Sequence, residues 1–203
     1  MKLNKYQELA IRTANTGALT RERNLINAAM GVFDEAGEAV EPVKKYSFQG
    51  HELDKTKLKK ELGDALWYIA LAAYCLDLNL DECTSYKLEN KNFEELESNI
   101  EILRGFYLSN DKALGLNQNL TPLETAALKF QTAAGKFNAD VLYLTPRTGA
   151  SLCTTLYFWA IFAKECGLSL DEIATENIKK LEARYPNGCF ESAKSINRKE
   201  GDI

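Results

Sequence analysis

Two long helical patterns joined by a short loop constrain the fold of this 203-residue chain more than any other feature. Apolar residues recur at steps of three and four over residues 22–46, and the same stepping returns over residues 58–76. Each stretch predicts an amphipathic helix with one buried face. The segment Ser47–Leu53 contains Gly50 and is typical of a tight connection, so the two helices should lie antiparallel. Pro42 lies inside the first helix and should kink it, because proline removes a backbone hydrogen bond.

The composition also favours helices, since the chain has only 12 glycines and 4 prolines to form turns. Thr121, Pro122 and Glu124 are typical of a helix N-terminus closed by a capping box, which predicts a helix over residues 121–142. The stretch Ser109–Leu120 is the best linker candidate. Further helices are predicted over residues 3–14, 92–104, 148–166 and 169–184.

The two halves of the chain share a residue pattern, which indicates an internal duplication. A motif L-x-L-D-E follows a long helix in each half, at residues 78–82 and again at 168–172. Chance similarity between two amphipathic hairpins is the alternative. We predict an all-α fold with a four-helix-bundle-like core, built from two antiparallel helical hairpins plus short accessory helices. The single domain 1–203 would comprise a first half-repeat at 1–90, a helix and linker at 91–120, and a second half-repeat at 121–203.

Charge and cysteine content exclude several classes of protein. Lysine and arginine total 25 against 29 acidic residues, and the basic residues are scattered, so no nucleic-acid partner is expected. The polar N-terminus carries no secretory signal pattern, and the longest apolar runs are too short to span a membrane. Five cysteines without a C-x-x-C pair indicate free thiols in a reducing cytoplasm. With a single histidine, a zinc site is not expected.

Four acidic residues form the chemical feature of the first hairpin. Glu35 and Glu38 lie three residues apart on the first helix, and Glu61 and Asp64 lie three apart on the second. Both pairs are symmetric about Gln49–Gly50, so an antiparallel hairpin would bring all four carboxylates to one level. Carboxylates held this close repel each other unless a cation neutralises them, and hard oxygen ligands suit Mg²⁺ or Mn²⁺. The spacing therefore predicts a site for a divalent metal ion.

Two other interpretations of these acids remain. They could form a solvated acidic face that pairs with nearby lysines, namely Lys44, Lys45, Lys59 and Lys60. A di-iron carboxylate bundle is the second alternative, but such bundles use Glu-x-x-His motifs. His51, the only histidine, lies in the loop and cannot complete such a motif.

The stretches E-A-G-E and K-L-K-K-E-L-G-D-A-L-W-Y resemble the MazG-like group of all-α nucleoside triphosphate pyrophosphohydrolases. The signature of that group is E-x-x-E, a variable spacer, then E-x-x-D. The loop F-Q-G-H-E-L-D at 48–54 and the tail N-I-K-K-L-E-A-R-Y-P-N-G at 177–188 are similar to the same group. The resemblance covers about residues 1–83 and 166–202, and the middle of the chain departs from it.

The resemblance implies Mg²⁺-dependent hydrolysis, with Mn²⁺ as a possible substitute, of a nucleoside triphosphate or its deoxy form to a monophosphate and pyrophosphate. Such an activity would suit nucleotide-pool housekeeping in the cytoplasm. Glu35, Glu38, Glu61 and Asp64 would hold the metal, and Glu38 could also orient the attacking water as a base. By resemblance, the tail would contact the substrate through Asn177, Lys180 and Arg184. The alternative function is a nucleotide-binding regulator without turnover.

The second half-repeat lacks the acids of the first. Ala133, Lys136, Ser151 and Thr154 align with the four acidic positions, so this half should bind no metal. Proteins of the resembling group are commonly oligomers of short helical subunits. A duplicated chain could therefore be a monomeric pseudo-dimer with one working site, or it could form a homodimer.

Overall fold

The computed structural model describes residues 1–84, 91–101 and 119–196, and within these ranges the chain is helical without a β-strand. The helices are α1 Leu3–Ile11, α2 Arg21–Gln49, α3 Lys55–Cys75, α4 Leu80–Cys83, α5 at residues 93–101, α6 Pro122–Leu142, α7 Thr148–Glu165, α8 Leu170–Arg184 and α9 Ser192–Ile196. The predicted all-α class is confirmed. The predicted linker Ser109–Leu120 lies outside the described residues except for its last two positions.

Local chemistry sets the ends of the long helices. The Thr20 hydroxyl accepts a hydrogen bond from a backbone amide in the first turn of α2, and the Asp54 carboxylate does the same for α3. Thr121 and Glu124 form the predicted capping box at the start of α6. Gly50 ends α2 with φ of 73°, a left-handed conformation that glycine adopts without strain. Since α2 continues through Pro42 to Gln49, the loop between the hairpin helices is shorter than expected.

Two helical hairpins form the core. α2 packs against α3 and α6 packs against α7, and the hairpins join through contacts of α2 with α6 and of α3 with α7. The face of α2 that enters the core is rich in small residues, which lets the neighbouring helices approach closely. These buried positions are Ala28, Ala29, Val32, Ala36, Ala39 and Val43. The predicted four-helix core is therefore present.

α3 is the central helix of the described structure. It contacts α2, α7, α8 and α1, and the run from Ile69 to Ala73 is buried without interruption. The buried Trp159 of α7 donates a hydrogen bond to the backbone oxygen of Leu62 at 2.9 Å, which ties the second hairpin to α3. α1 and α8 also contact each other. The acidic segment of α3 is consequently enclosed by helices from both ends of the chain.

Within the described ranges, the helices lack the combination of length and apolar content that crossing a bilayer requires.

Candidate metal and substrate site

Three of the four predicted acids meet at one point between α2 and α3. Carboxylate oxygens of Glu35, Glu38 and Glu61 all lie within 4.8 Å of one another. Their exposure is graded, since Glu61 is 3% exposed, Glu35 is half-buried and Glu38 is exposed. The register inferred from the symmetric spacing therefore brings three carboxylates together at the edge of the core.

The fourth acid, Asp64, is held by α8. The Lys180 ammonium contacts both carboxylate oxygens of Asp64, at 2.8 and 2.6 Å, and the side-chain amide of Asn177 donates to Asp64 Oδ1 at 3.2 Å. Asp64 and Lys180 are both half-buried, while Asn177 is buried. Two residues that were predicted to bind substrate therefore both contact Asp64, which was predicted to bind metal.

Burial and neighbouring acids raise the pKa of two members of this group, Glu35 and Glu61. Burial, followed by the charges of Asp64, Glu61 and Glu38, raises the pKa of Glu35 to about 8. Burial also raises the pKa of Glu61, although the Lys60 ammonium, 3.5 Å from that carboxylate, opposes the increase. Two carboxylates whose ionisation is opposed in this way gain electrostatic stability when a cation binds beside them. The residues present thus fit a hard divalent ion with oxygen ligands.

The acidic group borders a cleft of about 580 Å³. The cleft presents three kinds of side chain that suit a nucleotide: carboxylates, cations, and aromatic or aliphatic groups. The carboxylates are Glu38, Glu61 and Asp64, the cations are Arg23, Lys60, Lys180 and Arg184, and the apolar residues include Ile26, Met30, Trp67, Tyr68 and Phe190. Of the predicted substrate residues, Lys180 and Arg184 therefore line the cleft, whereas the buried Asn177 does not.

The aromatic wall of the cleft is fixed by α1 and α2. Trp67 donates through its indole N–H to the backbone oxygen of Ala10 at 3.2 Å and to the hydroxyl of Thr13 at 3.0 Å. Trp67 and Tyr68 pack edge to face with their ring centres 4.9 Å apart. A Cβ atom on Gly31 would lie 2.4 Å from the Tyr68 ring, so glycine is required for this close approach. Hydrogen bonds and close packing thus hold both rings of the wall in place.

Tyr6 belongs to this site and was not predicted. Its hydroxyl donates to Oδ1 of Asn177 at 2.8 Å, in a fully buried contact. The only local sequence signal was an apolar face on α1, and a tyrosine on such a face is usually a core residue. Gly63 lies between Glu61 and Asp64 in the sequence, and a Cβ atom there would lie 3.2 Å from Asn177.

The second hairpin shows no equivalent acidic group. Among the described residues, the carboxylates close enough to share a metal ion are those of Glu35, Glu38 and Glu61. At the aligned position in α6, Lys136 instead forms an ion pair with Asp140 at 3.2 Å. The position that aligns with Glu38 of the first hairpin thus carries the basic side chain of Lys136 in the second.

Residues 24–90 match the family model for the MazG nucleotide pyrophosphohydrolase domain. Searches of curated proteins and of solved structures found no match. The matched segment contains all four acids, whereas Tyr6, Asn177 and Lys180 lie outside it. Its helical hairpin agrees with the all-α fold of that family. Over residues 24–90, about a third of its length, this chain is therefore similar to the MazG nucleotide pyrophosphohydrolase domain.

Proposed function

We propose that the protein is a Mg²⁺-dependent nucleoside triphosphate pyrophosphohydrolase, for which Mn²⁺ can substitute. It would cleave a ribo- or deoxyribonucleoside triphosphate between the α and β phosphates, releasing a monophosphate and pyrophosphate. The observation that carries the proposal is one cleft lined by both Glu38 and Glu61 and by the cations Lys180 and Arg184. The carboxylates of Glu38, Glu61 and the adjacent Glu35 lie within 4.8 Å of one another. Negative and positive groups side by side suit a metal–polyphosphate ligand.

The metal would be held by Glu35, Glu38 and Glu61, with Asp64 as a fourth ligand when Lys180 turns away from it. A divalent ion bound there supplies positive charge to the phosphate oxygens and acidifies a bound water molecule. Glu61 is buried and lines the cleft, so it would serve as a metal ligand with little freedom to move.

Glu38 is our choice for the base that orients the attacking water and accepts its proton. It is the exposed member of the acidic group and it lines the cleft, so it can reach both water and substrate. Glu35 is less suited, because its raised pKa of about 8 keeps it protonated near neutral pH in the metal-free protein.

The basic residues would bind the polyphosphate. Lys180 already pairs with a carboxylate, so a phosphate oxygen could replace Asp64 as its partner, and the metal ion would then neutralise Asp64. Arg184 lies one turn further along α8, on the same cleft. The flat faces of Trp67 and Tyr68 offer a stacking surface for the base.

The second hairpin would act as a scaffold. It ties to α3 through Trp159, and the chain returns from it into α8, which carries Asn177 and Lys180. The substrate site would therefore draw on both halves of a monomeric pseudo-dimer with one metal site, while a homodimer of such chains remains compatible with it. The free cysteines favour action in a reducing cytoplasm.

Pyrophosphate release should be measured with the common ribo- and deoxyribonucleoside triphosphates, in Mg²⁺, in Mn²⁺ and in chelator. We expect metal-dependent release that falls by ~100-fold or more in Glu38→Gln and Asp64→Asn, because several kcal/mol of charge stabilisation are lost. Glu182→Gln, an exposed change on α8, should behave as wild type. Absence of release with every nucleotide, together with calorimetric nucleotide binding, would instead support a regulator without turnover.

A further inference from the structure

We propose that Tyr6 is a positioning residue of the site, because its hydroxyl fixes the Asn177 amide in the orientation that holds Asp64. The inference rests on the proposed function and deepens it by assigning a role to a helix outside the segment that matches the family model. Tyr6 touches neither metal nor substrate, so it would act through Asn177 alone.

The hydrogen bonds run in one direction from Tyr6 to Asp64. The Tyr6 hydroxyl donates to Asn177 Oδ1 at 2.8 Å, and Asn177 Nδ2 donates to Asp64 Oδ1 at 3.2 Å. Turning the amide over would place Asn177 Oδ1 against the Asp64 carboxylate, with two acceptors facing each other. The hydroxyl of Tyr6 therefore selects the amide orientation in which the N–H₂ group faces Asp64.

The packing around this chain of hydrogen bonds leaves it little freedom. Tyr6 has no exposed surface and its ring packs edge to face on Phe93, with ring centres 5.9 Å apart. Asn177 is 4% exposed, and Gly63 lies directly beneath it. Burial, assisted by the charge of Asp64, raises the pKa of Tyr6, so the hydroxyl keeps the proton that it donates.

The role of Tyr6 becomes important when Lys180 turns away from Asp64 and leaves that carboxylate to the metal ion. Lys180 contacts both oxygens of Asp64 in the ligand-free structure. Once that ammonium has turned away, Asn177 is the remaining donor to Asp64 among the hydrogen bonds described above. Asp64 then stays beside the other acids only as firmly as the Asn177 amide is held, and Tyr6 is what holds it.

The test is Tyr6→Phe in the full chain, with Mn²⁺ affinity measured by calorimetry in the absence of nucleotide. We expect about fivefold weaker binding, the fold-change that corresponds to a typical hydrogen bond. Turnover should fall through kcat with little change in KM, since the phosphate contacts are intact. Tyr157→Phe, which removes a hydroxyl from a residue outside the cleft, should alter neither quantity.

A double-mutant cycle separates positioning from general destabilisation. In an Asn177→Ala background, Tyr6→Phe should cause no further loss of Mn²⁺ affinity, because its route to Asp64 has been removed. An equal loss in both backgrounds would overturn the proposal. Unfolding followed by circular dichroism checks that each variant is folded. If Tyr6→Phe does not fold, Asn177→Ala alone must show the same fivefold loss of Mn²⁺ affinity, or the proposal fails.

A metal-free measurement keeps this proposal distinct from the proposed function. The side-chain amide signals of Asn177, assigned by their absence in Asn177→Ala, should shift and exchange with water faster in Tyr6→Phe. If the wild-type chain neither binds Mn²⁺ nor releases pyrophosphate, the proposed function is wrong. The amide signals would still show whether Tyr6 fixes the orientation of the Asn177 side chain. Unchanged Asn177 signals in Tyr6→Phe would refute the positioning role in either case.

Discussion

Replacing Glu35 by glutamine should stabilise the metal-free protein above about pH 8 and leave its stability near pH 5 almost unchanged. In the folded protein, burial and the neighbouring acids raise the pKa of Glu35 to about 8, from an ordinary value of 4.5. Between these two values the folded state holds a proton that the unfolded state has released. The free energy of unfolding therefore falls as the pH rises through this window, and glutamine removes that fall.

The size of the effect follows from the same interval. A pKa raised from 4.5 to about 8 would correspond to roughly 5 kcal/mol for a group sealed from water, at about 1.4 kcal/mol for each pH unit. Glu35 is only half-buried, so solvent screens its charge and the acids around it can relax. We expect Glu35→Gln to gain ~1–2 kcal/mol above pH 8.

Urea unfolding in chelator at about pH 5 and about pH 9 measures this difference, with the exposed Glu182→Gln as the matched control. The same measurement in excess Mn²⁺ tests the metal site. Wild type should be stabilised by the ion through mass action, whereas Glu35→Gln, with one carboxylate fewer, should gain less.

Two results would refute this reasoning. One is a stability gain for Glu35→Gln that is the same at both pH values, which would mean that packing and not ionisation governs the substitution. The other is a loss of stability at the higher pH, which would mean that the Glu35 carboxylate is better stabilised in the folded protein than in the unfolded chain.

Two further changes test the α8 side of the site. Lys180→Ala should raise KM for a triphosphate by roughly tenfold or more, as expected for the loss of a charge-assisted hydrogen bond. Lys179→Ala, at the exposed neighbouring position, should leave KM unchanged. An unaltered KM in Lys180→Ala would mean that this lysine does not bind phosphate. Gly63→Ala places a Cβ atom 3.2 Å from Asn177, so steady-state kinetics should show a lower kcat. The melting temperature of Gly63→Ala should change little, because a helix-propensity gain of ~1 kcal/mol offsets the crowding. As the control, Gly149→Ala on α7 should retain full activity.

The helices could be predicted because apolar spacing and capping residues act locally. Thr121 and Glu124 fixed the start of α6, and the stepping of apolar residues located α2 and α3. The end of α2 differed by three residues, because Gly50 accepts a left-handed conformation and allows the helix to continue up to it. The burial of α3 on nearly all sides could not be predicted, since it depends on helices that arrive from distant parts of the chain.

In the candidate site, too, contacts within the first hairpin could be predicted, whereas contacts with distant helices could not. Glu35, Glu38 and Glu61 could be predicted to meet, because residues equally far from a tight loop reach the same level in an antiparallel hairpin. The pairing of Asp64 with Lys180 could not, since no spacing rule relates α8 to α3. Tyr6 was missed for the same reason: its partner is 171 residues away, and nothing local distinguishes it from a core tyrosine.

The contacts around Asp64 also set an order of events during synthesis. A ribosome makes α2 and α3 before α8, so the acidic hairpin leaves it well before Lys180, which is 116 residues beyond Asp64. Closing a loop of that length costs chain entropy, so these contacts form only after local helices exist. Until then the nascent hairpin carries its carboxylates without the ammonium of Lys180. The last long helix to be made therefore completes a site whose acidic half was made first, and a truncated chain would keep the ligands while losing the groups that hold them in place.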